Sequence, residues 1–202
     1  MADWDEDSPT LQANLVGVLR EIRDRVGRRT ALSVEDARGW HSAIMQGLKV
    51  PNPAHVAHFR GEPGLKSLGV RVGRRRGTPP ERVATDLQSF EVTLQAAVSE
   101  LDRRIPHGVL PNDDGIAAVI DLAAWAHAKW VRIHPFANGN GRTARLWANA
   151  LLMRYGLPPF VRLRPRPDHG YGNAGAAAMQ GKWEPTAAAF HAMLGEFLES
   201  GA

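Results

Sequence analysis

Cysteine is absent from the chain. That excludes disulfides and thiolate metal sites, and it fits a reducing compartment. Lysine is scarce. Arginine supplies most of the 25 basic residues, which stand against 21 acidic ones for a net charge of +4. No apolar run is long enough to span a bilayer, because Arg, Asp or His interrupts each one. The first residues, Met1-Ala2-Asp3-Trp4-Asp5-Glu6-Asp7, are acidic and lack the apolar stretch of a secretory leader. The expected location is therefore cytoplasmic, or export by a route that leaves no such mark. The 202 residues, 44% of them hydrophobic, suit a single domain over 1–202 with a real core.

What is present is mostly helical period. Leu11, Leu15, Val18, Leu19, Ile22 and Val26 form one face of a helix that stops near Gly27. Ser33-Val-Glu-Asp36 reads as a capping box for a second helix running toward Gly47. Residues 49–80 break the pattern with Pro, Gly and basic residues. Within them Leu68-Gly-Val-Arg-Val72 alternates as a strand does, so a short hairpin or flap is expected, placed at 60–76. Pro79-Pro80 opens the next helix, with Val83, Leu87, Phe90, Leu94, Ala97 and Leu101 on one face. Ile116, Val119, Ile120, Ala123, Trp130 and Val131 carry another, stopped by Pro135. Ala144, Trp147, Ala148, Leu151, Leu152 and Tyr155 mark a further helix, ending at Gly156. Two shorter stretches, near 171–180 and 184–199, complete an all-α domain with one small flap. The helical segment within 1–32 is its N-terminal element.

The chemistry concentrates in His134-Pro-Phe-Ala-Asn-Gly-Asn-Gly-Arg-Thr-Ala-Arg145, between two strongly periodic helices. Gly139 and Gly141 allow a tight turn that opens a helix. The N–H groups and partial positive charge of that end attract anions. Asn140 offers an amide donor. Arg142 and Arg145, three apart, can clamp phosphate oxygens. His134 is the one side chain there able to accept a proton near neutral pH, and Phe136 is read as the apolar pin of the loop. No Gly-Lys-Ser/Thr follows, which excludes a P-loop. With no third glycine and no preceding strand, a Rossmann fingerprint is excluded too.

This twelve-residue string resembles the signature of the Fic (Fic/Doc) family, His-Pro-Phe-x-Asp/Glu-Gly-Asn-Gly-Arg-x-x-Arg. His58-Phe-Arg-Gly61 and Leu68–Val72 resemble the family's target-docking flap, and Tyr171 resembles part of its base-enclosing C-terminal segment. The resemblance implies a protein adenylyltransferase using ATP and Mg²⁺ or Mn²⁺, with the flap pairing to a protein target. It implies that His134 deprotonates a Ser, Thr or Tyr hydroxyl. Asn140 and the glycine-loop amides would hold the α-phosphate. Arg142 and Arg145 would hold the β and γ phosphates, and Phe136, Gly139, Gly141 and Tyr171 would complete the nucleotide site.

Two departures matter. Asn138 stands where the family has the acidic metal ligand. An amide oxygen ligates a hard cation without adding negative charge, so metal affinity falls. A pseudoenzyme, or transfer of a different phosphate-containing group, is the alternative. The inhibitory pattern Ser/Thr-x-x-x-Glu-Gly/Asn is also missing: Ser8-Pro-Thr-Leu-Gln12-Ala has Gln12 in place of Glu. Either the protein is then unregulated in cis, or a partner in trans supplies the restraint, as in a toxin–antitoxin pair.

Other residues have plainer readings. His55 and His58 have no third ligand nearby. His127 reads as a satisfied helix histidine, and the tryptophans as packing. Arg71, Arg74, Arg75 and Arg76 lack the aromatic interleaving of single-strand binders. That disfavours nucleic acid and leaves a solvated flap or selection of an acidic target. Arg162, Arg164 and Arg166 read as an exposed loop or as phosphate contacts.

Overall fold

The computed structural model describes residues 8–167 and 170–201; the acidic residues 1–7 lie outside them. Within that range the chain forms seven α-helices and one small hairpin. Helix α1 spans Pro9–Val26 and buries Leu11, Leu15, Val18, Ile22 and Val26, the stripe expected from the period. Helix α2 spans Val34–Met45. The backbone N–H of Ser33 donates to the Asp36 carboxylate at 2.7 Å, half of the expected capping box.

The flap is smaller than its sequence pattern. The in–out alternation holds, with Val70 buried and Arg71 exposed. Only β1 (Arg71–Val72) and β2 (Arg75–Arg76) pair, antiparallel, in the register Arg71 to Arg76 and Val72 to Arg75. Gly73 takes the first of the two turn positions at φ 57°. That sign at that place is what a type II′ connection needs. A ladder of two pairs does not stand alone; its anchor is described below.

Helices α3 (Pro80–Arg104) and α4 (Asp113–Ile133) follow. In α3 it is Val98, not the expected Ala97, that is buried, one residue further round the same face. Helix α5 spans Asn140–Arg154, and α6 (Tyr171–Ala178) and α7 (Glu184–Glu199) close the chain. Helices α4 and α5 form the central pair. Helices α1 and α2 pack on α5, while α3, α6 and α7 pack on α4.

An aromatic cluster lies under the loop between α4 and α5. Trp130 and Trp147 meet at 5.7 Å between ring centroids, and Trp40 sits edge-on to Trp147 at 5.0 Å. Phe90 lies between Trp125, Trp130 and Trp147. These tryptophans serve packing, as their spacing implies. Helix α5 is enclosed on all sides and buries Asn140, Arg142, Thr143, Arg145, Asn149 and Arg154 as well as its apolar stripe. Buried polar groups need partners. Asn149, for example, exchanges two hydrogen bonds with the backbone of Val161 at 2.8 and 3.1 Å, fixing the segment that leaves α5. No helix among the described residues is long and apolar enough to cross a membrane.

Candidate active site

Helix α4 ends on His134. Pro135 disfavours the α conformation for the residue before it, and His134 takes a left-handed one, φ 54° and ψ 57°. A non-glycine residue there costs about 1–2 kcal/mol, so surrounding contacts must hold it. The backbone N–H of His134 donates to Trp130 at 2.9 Å, and its carbonyl accepts from Arg60 Nε at 2.7 Å. The ring is fixed as well: Nδ1 lies 3.0 Å from the Val131 carbonyl. A carbonyl only accepts, so Nδ1 carries the proton and Nε2 keeps its lone pair. Burial is the main cause that lowers the His134 pKa to about 4, and the Arg60 charge adds to it against the Val131 carbonyl. The ring is therefore neutral at pH 7.

Arg60 is the hub the sequence reading missed. It is 1% exposed and donates to four carbonyls: His134, Leu68 at 3.2 Å, Thr78 at 2.8 Å and Ile133 at 2.9 Å. It thus ties both legs of the flap to the end of α4. An arginine inside an expected flap element was the only sequence signal available.

The loop beyond His134 is held from below. Phe136 is fully buried and stacks on His41 at 4.0 Å, with Phe59 at 4.9 Å. It is the pin, as expected. It does not line the cavity described below. His41, which the sequence reading passed over, accepts from the Ala57 N–H on Nδ1 at 3.0 Å. Its Nε2 therefore donates to the Asn138 carbonyl, 3.1 Å away. Burial lowers its pKa to about 4.

Asn140 is braced within the loop. Its amide oxygen accepts from the Phe136 N–H at 2.8 Å and its amide nitrogen donates to the Phe136 carbonyl at 2.9 Å. These two bonds make the side chain a brace of the turn, and the second N–H of its amide nitrogen remains as a donor where Asn140 lines the cavity. Gly139 caps α5 at φ 77°, and the first turn of α5 directs its N–H groups outward.

A cavity of about 800 Å³ opens over this loop. His134, Asn138, Gly139, Asn140, Gly141, Arg142, Arg145 and Tyr171, all from the sequence-derived set, line it together. Arg71, Arg74 and Arg75 join from the hairpin, and Arg164 and Arg166 from the segment after α5. Arg162 does not. No carboxylate lines the cavity among the described residues, so the chamber is strongly cationic. Arg145 donates to Tyr171 Oη at 3.5 Å and to the Leu163 carbonyl at 3.1 Å. Gln12 is exposed on α1, and no bond joins it to Arg145.

His127 turns out to be a wall residue. It is fully buried, lines the cavity, and meets Tyr171 Oη through Nε2 at 2.6 Å. Its Nδ1 has no partner. Burial, then the charges of Arg145 and Arg166, lower its pKa to about 3.

The divalent cation implied at Asn138 meets a poor fit. The Asn138 amide oxygen accepts from the Gly139 N–H, and from Arg142 Nη2 at 3.2 Å. A dication on that oxygen would face a guanidinium. No group of three His, Cys, Asp or Glu could hold a metal among the described residues, and His58 instead bonds the Val56 carbonyl at 2.8 Å.

Comparison with known proteins places this geometry. The family model described as "Fic/DOC family" matches residues 31–152, from the strand-like approach to α2 through most of α5. The chain is 52% identical to the protein adenylyltransferase Fic of Nematostella vectensis over 62 residues, 30% of this chain and 14% of the relative. It is 46% identical to that of Aedes aegypti over 66 residues, 33% and 13% of the two chains. For the protein adenylyltransferase fic-1 of Caenorhabditis briggsae the identity is 52% over 52 residues, 25% and 10%. The match therefore spans about a seventh or less of these relatives' length. A crystal structure of a Fic domain containing signaling protein from Bacteroides thetaiotaomicron superposes with a TM-score of 0.58 over 83% of this chain and 53% of the other, at 22% identity. That likeness bears on the fold alone.

Proposed function

Since this chain belongs to the Fic/DOC family, we propose that it transfers AMP from ATP to a Ser, Thr or Tyr hydroxyl of a protein target. The observation that carries the reading is the His134 tautomer. Its Nδ1–H is spent on Val131, which leaves Nε2 to accept a proton beside a cationic chamber large enough for a nucleotide. The relatives named protein adenylyltransferase, matched over 25–33% of this chain, support it.

In this mechanism the triphosphate lies on the N-terminus of α5, against Arg142 and Arg145. The target hydroxyl gives its proton to His134 Nε2 as its oxygen bonds to the α-phosphorus. The bond from that phosphorus to the bridging oxygen breaks, and pyrophosphate leaves. The backbone N–H groups of Asn140 and Gly141, at the start of α5, and the two guanidinium groups stabilise the charge that builds on the phosphate oxygens. The counter-charge comes from arginine, since Asn138 offers a cation only a neutral oxygen already bonded to Arg142. The Gln12 departure supports restraint by a partner in trans, the antitoxin arrangement.

Asn138 also favours a second reading, a nucleotide-binding protein that transfers poorly or moves another phosphate-containing group. Incubation of the chain and a cell lysate with α-labelled or γ-labelled ATP tests both. Protein label from the α-phosphate alone is expected. Label from the γ-phosphate alone, or tight ATP binding with no label, would replace the first reading with the second.

A further inference from the structure

Most ion-pairing in this protein follows a simple habit: arginines sit beside carboxylates. Arg38 pairs with Glu35 and Glu62, Arg82 with Asp86, Arg103 with Glu100, and Arg29 and Arg154 with Asp102. The hairpin departs from it. Arg71, Arg74, Arg75 and Arg76 are all exposed, and none forms an ion pair among the described residues. Four like charges within six residues repel one another, and no carboxylate among the described residues pairs with them.

The hairpin is also held in register with the catalytic histidine. Arg60 binds the carbonyls of Leu68 and Thr78, at the two legs of the flap, and the carbonyl of His134. Gly77 lies so close to His134 that an added Cβ would stand 3.0 Å from the His134 Cβ and 2.9 Å from Val70. A segment laid along the hairpin as an added strand therefore stands at a fixed offset from His134. The register puts Arg71 and Arg76 on one face of the hairpin and Arg75 on the other, so guanidinium charge lies on both sides of a segment added there.

We propose that the hairpin selects a protein segment that carries Asp or Glu beside the modified hydroxyl, with Arg71, Arg74, Arg75 and Arg76 reading those carboxylates. The inference rests on the transferase reading of the cavity and names the substrate class for it. Nucleotide phosphate accounts for part of the charge only, because Arg76 is not among the residues that line the cavity. Nucleic acid is disfavoured because residues 68–77 contain no aromatic side chain for base stacking. Exposed guanidinium–carboxylate contacts are individually weak but additive across a cluster, they are screened by salt, and they steer partners more than they tighten them.

The test is anisotropy with two labelled extended peptides and the full chain. One has a central serine flanked by glutamates, the other the same serine flanked by lysines. At low salt the glutamate peptide is expected to bind about ten-fold more tightly, and the gap is expected to close as ionic strength passes the screening limit. Arg76→Glu, and Arg74→Glu with Arg76→Glu, should each reduce that preference; these side chains are exposed, so circular dichroism should report an intact fold. Equal binding of the two peptides, or a preference that survives charge reversal, overturns the proposal. Displacement of the acidic peptide by duplex DNA of matched charge at lower concentration overturns it in favour of a nucleic-acid partner. Labelling from ATP is scored separately. A chain that binds acidic peptides but transfers no AMP keeps this surface and loses the transferase reading. A chain that labels the lysine peptide as fast as the glutamate peptide loses this surface and keeps the transferase.

Discussion

The loop 134–145 and the hairpin 68–77 flank the same cavity and are built in opposite ways. Each turns at a glycine with positive φ, Gly139 at 77° and Gly73 at 57°. A Cβ on Gly139 would stand 2.9 Å from Met45 and 3.1 Å from His41, whereas one on Gly73 would meet nothing within 4 Å. The loop's Asn138, Asn140, Arg142, Thr143 and Arg145 are buried and hydrogen-bonded; the hairpin's arginines are exposed and form no ion pair among the described residues. Chemistry on a phosphate needs groups fixed to fractions of an ångström, and burial supplies that. A docking edge has to fit a segment that arrives from solution, and the open hairpin suits that.

The largest effect belongs to the buried side. His134→Ala removes the lone pair that accepts the proton, and transfer should fall by about 10²–10⁴-fold while ATP binding persists. Label transfer and calorimetry on the same sample check both halves. A variant that transfers at the parental rate would show that His134 is not the base.

Acid should also act on the buried side. His41, His134 and His127 have pKa values lowered by burial to about 4, 4 and 3, from an ordinary 6.5. Above pH 6.5 both folded and unfolded chains hold these rings neutral. As pH falls from 6.5 toward 4 the unfolded chain takes up protons that the fold refuses. Stability should then drop by up to about 1.4 kcal/mol per pH unit for each ring. Urea unfolding across that range measures the slope, and a flat profile would mean that the rings protonate without cost in the fold.

Next comes Gly139→Ala. It combines left-handed strain with overpacking against His41 and Met45, at a total of about 2–5 kcal/mol. Denaturant unfolding should show it as a lower midpoint at unchanged slope. A loss under about 1 kcal/mol would mean the loop has slack that the contacts deny.

These residues also mark how far the sequence could be read. The helices were legible because each has a 3.6-residue stripe, and the loop because its twelve residues stand together. His41 and Arg60 were not, since their role arises from contacts 74 to 97 positions away in the chain. Asn140 and Phe136 were found, but not the contacts that hold them. A residue type announces what it can bond, and only packing decides that Asn140 spends its amide on Phe136. His127 illustrates the converse: its helix position suggested an ordinary satisfied histidine, and α6 brought Tyr171 over it and made both a wall. The flap's four arginines were plain in the sequence, but their lack of carboxylate partners is a fact of three dimensions.

A smaller effect probes the border between the two regions. With Arg142 on its amide oxygen, Asn138 should give ATP binding that depends little on Mg²⁺. Asn138→Asp supplies a charged oxygen ligand, and the ratio of ATP affinities with and without Mg²⁺ should rise by about ten-fold, or ~1.4 kcal/mol. Calorimetry in Mg²⁺ and in chelator reads it. An unchanged ratio would remove position 138 from any metal role.

The smallest change mirrors the Gly139 substitution on the open side. Gly73→Ala meets no atom, so its cost is the left-handed backbone alone, about 1–2 kcal/mol. That cost falls on two ladder pairs rather than on the core. A hairpin of that size opens locally without unfolding the protein. The global unfolding midpoint should hardly move, and the apparent KM for a protein target should rise while ATP affinity holds. If Gly73→Ala instead lowers the midpoint as much as Gly139→Ala does, the hairpin is coupled to the core through Arg60 as one cooperative unit. The flap would then belong to the rigid half of the site, and its selectivity would come from a fixed edge rather than an adaptable one.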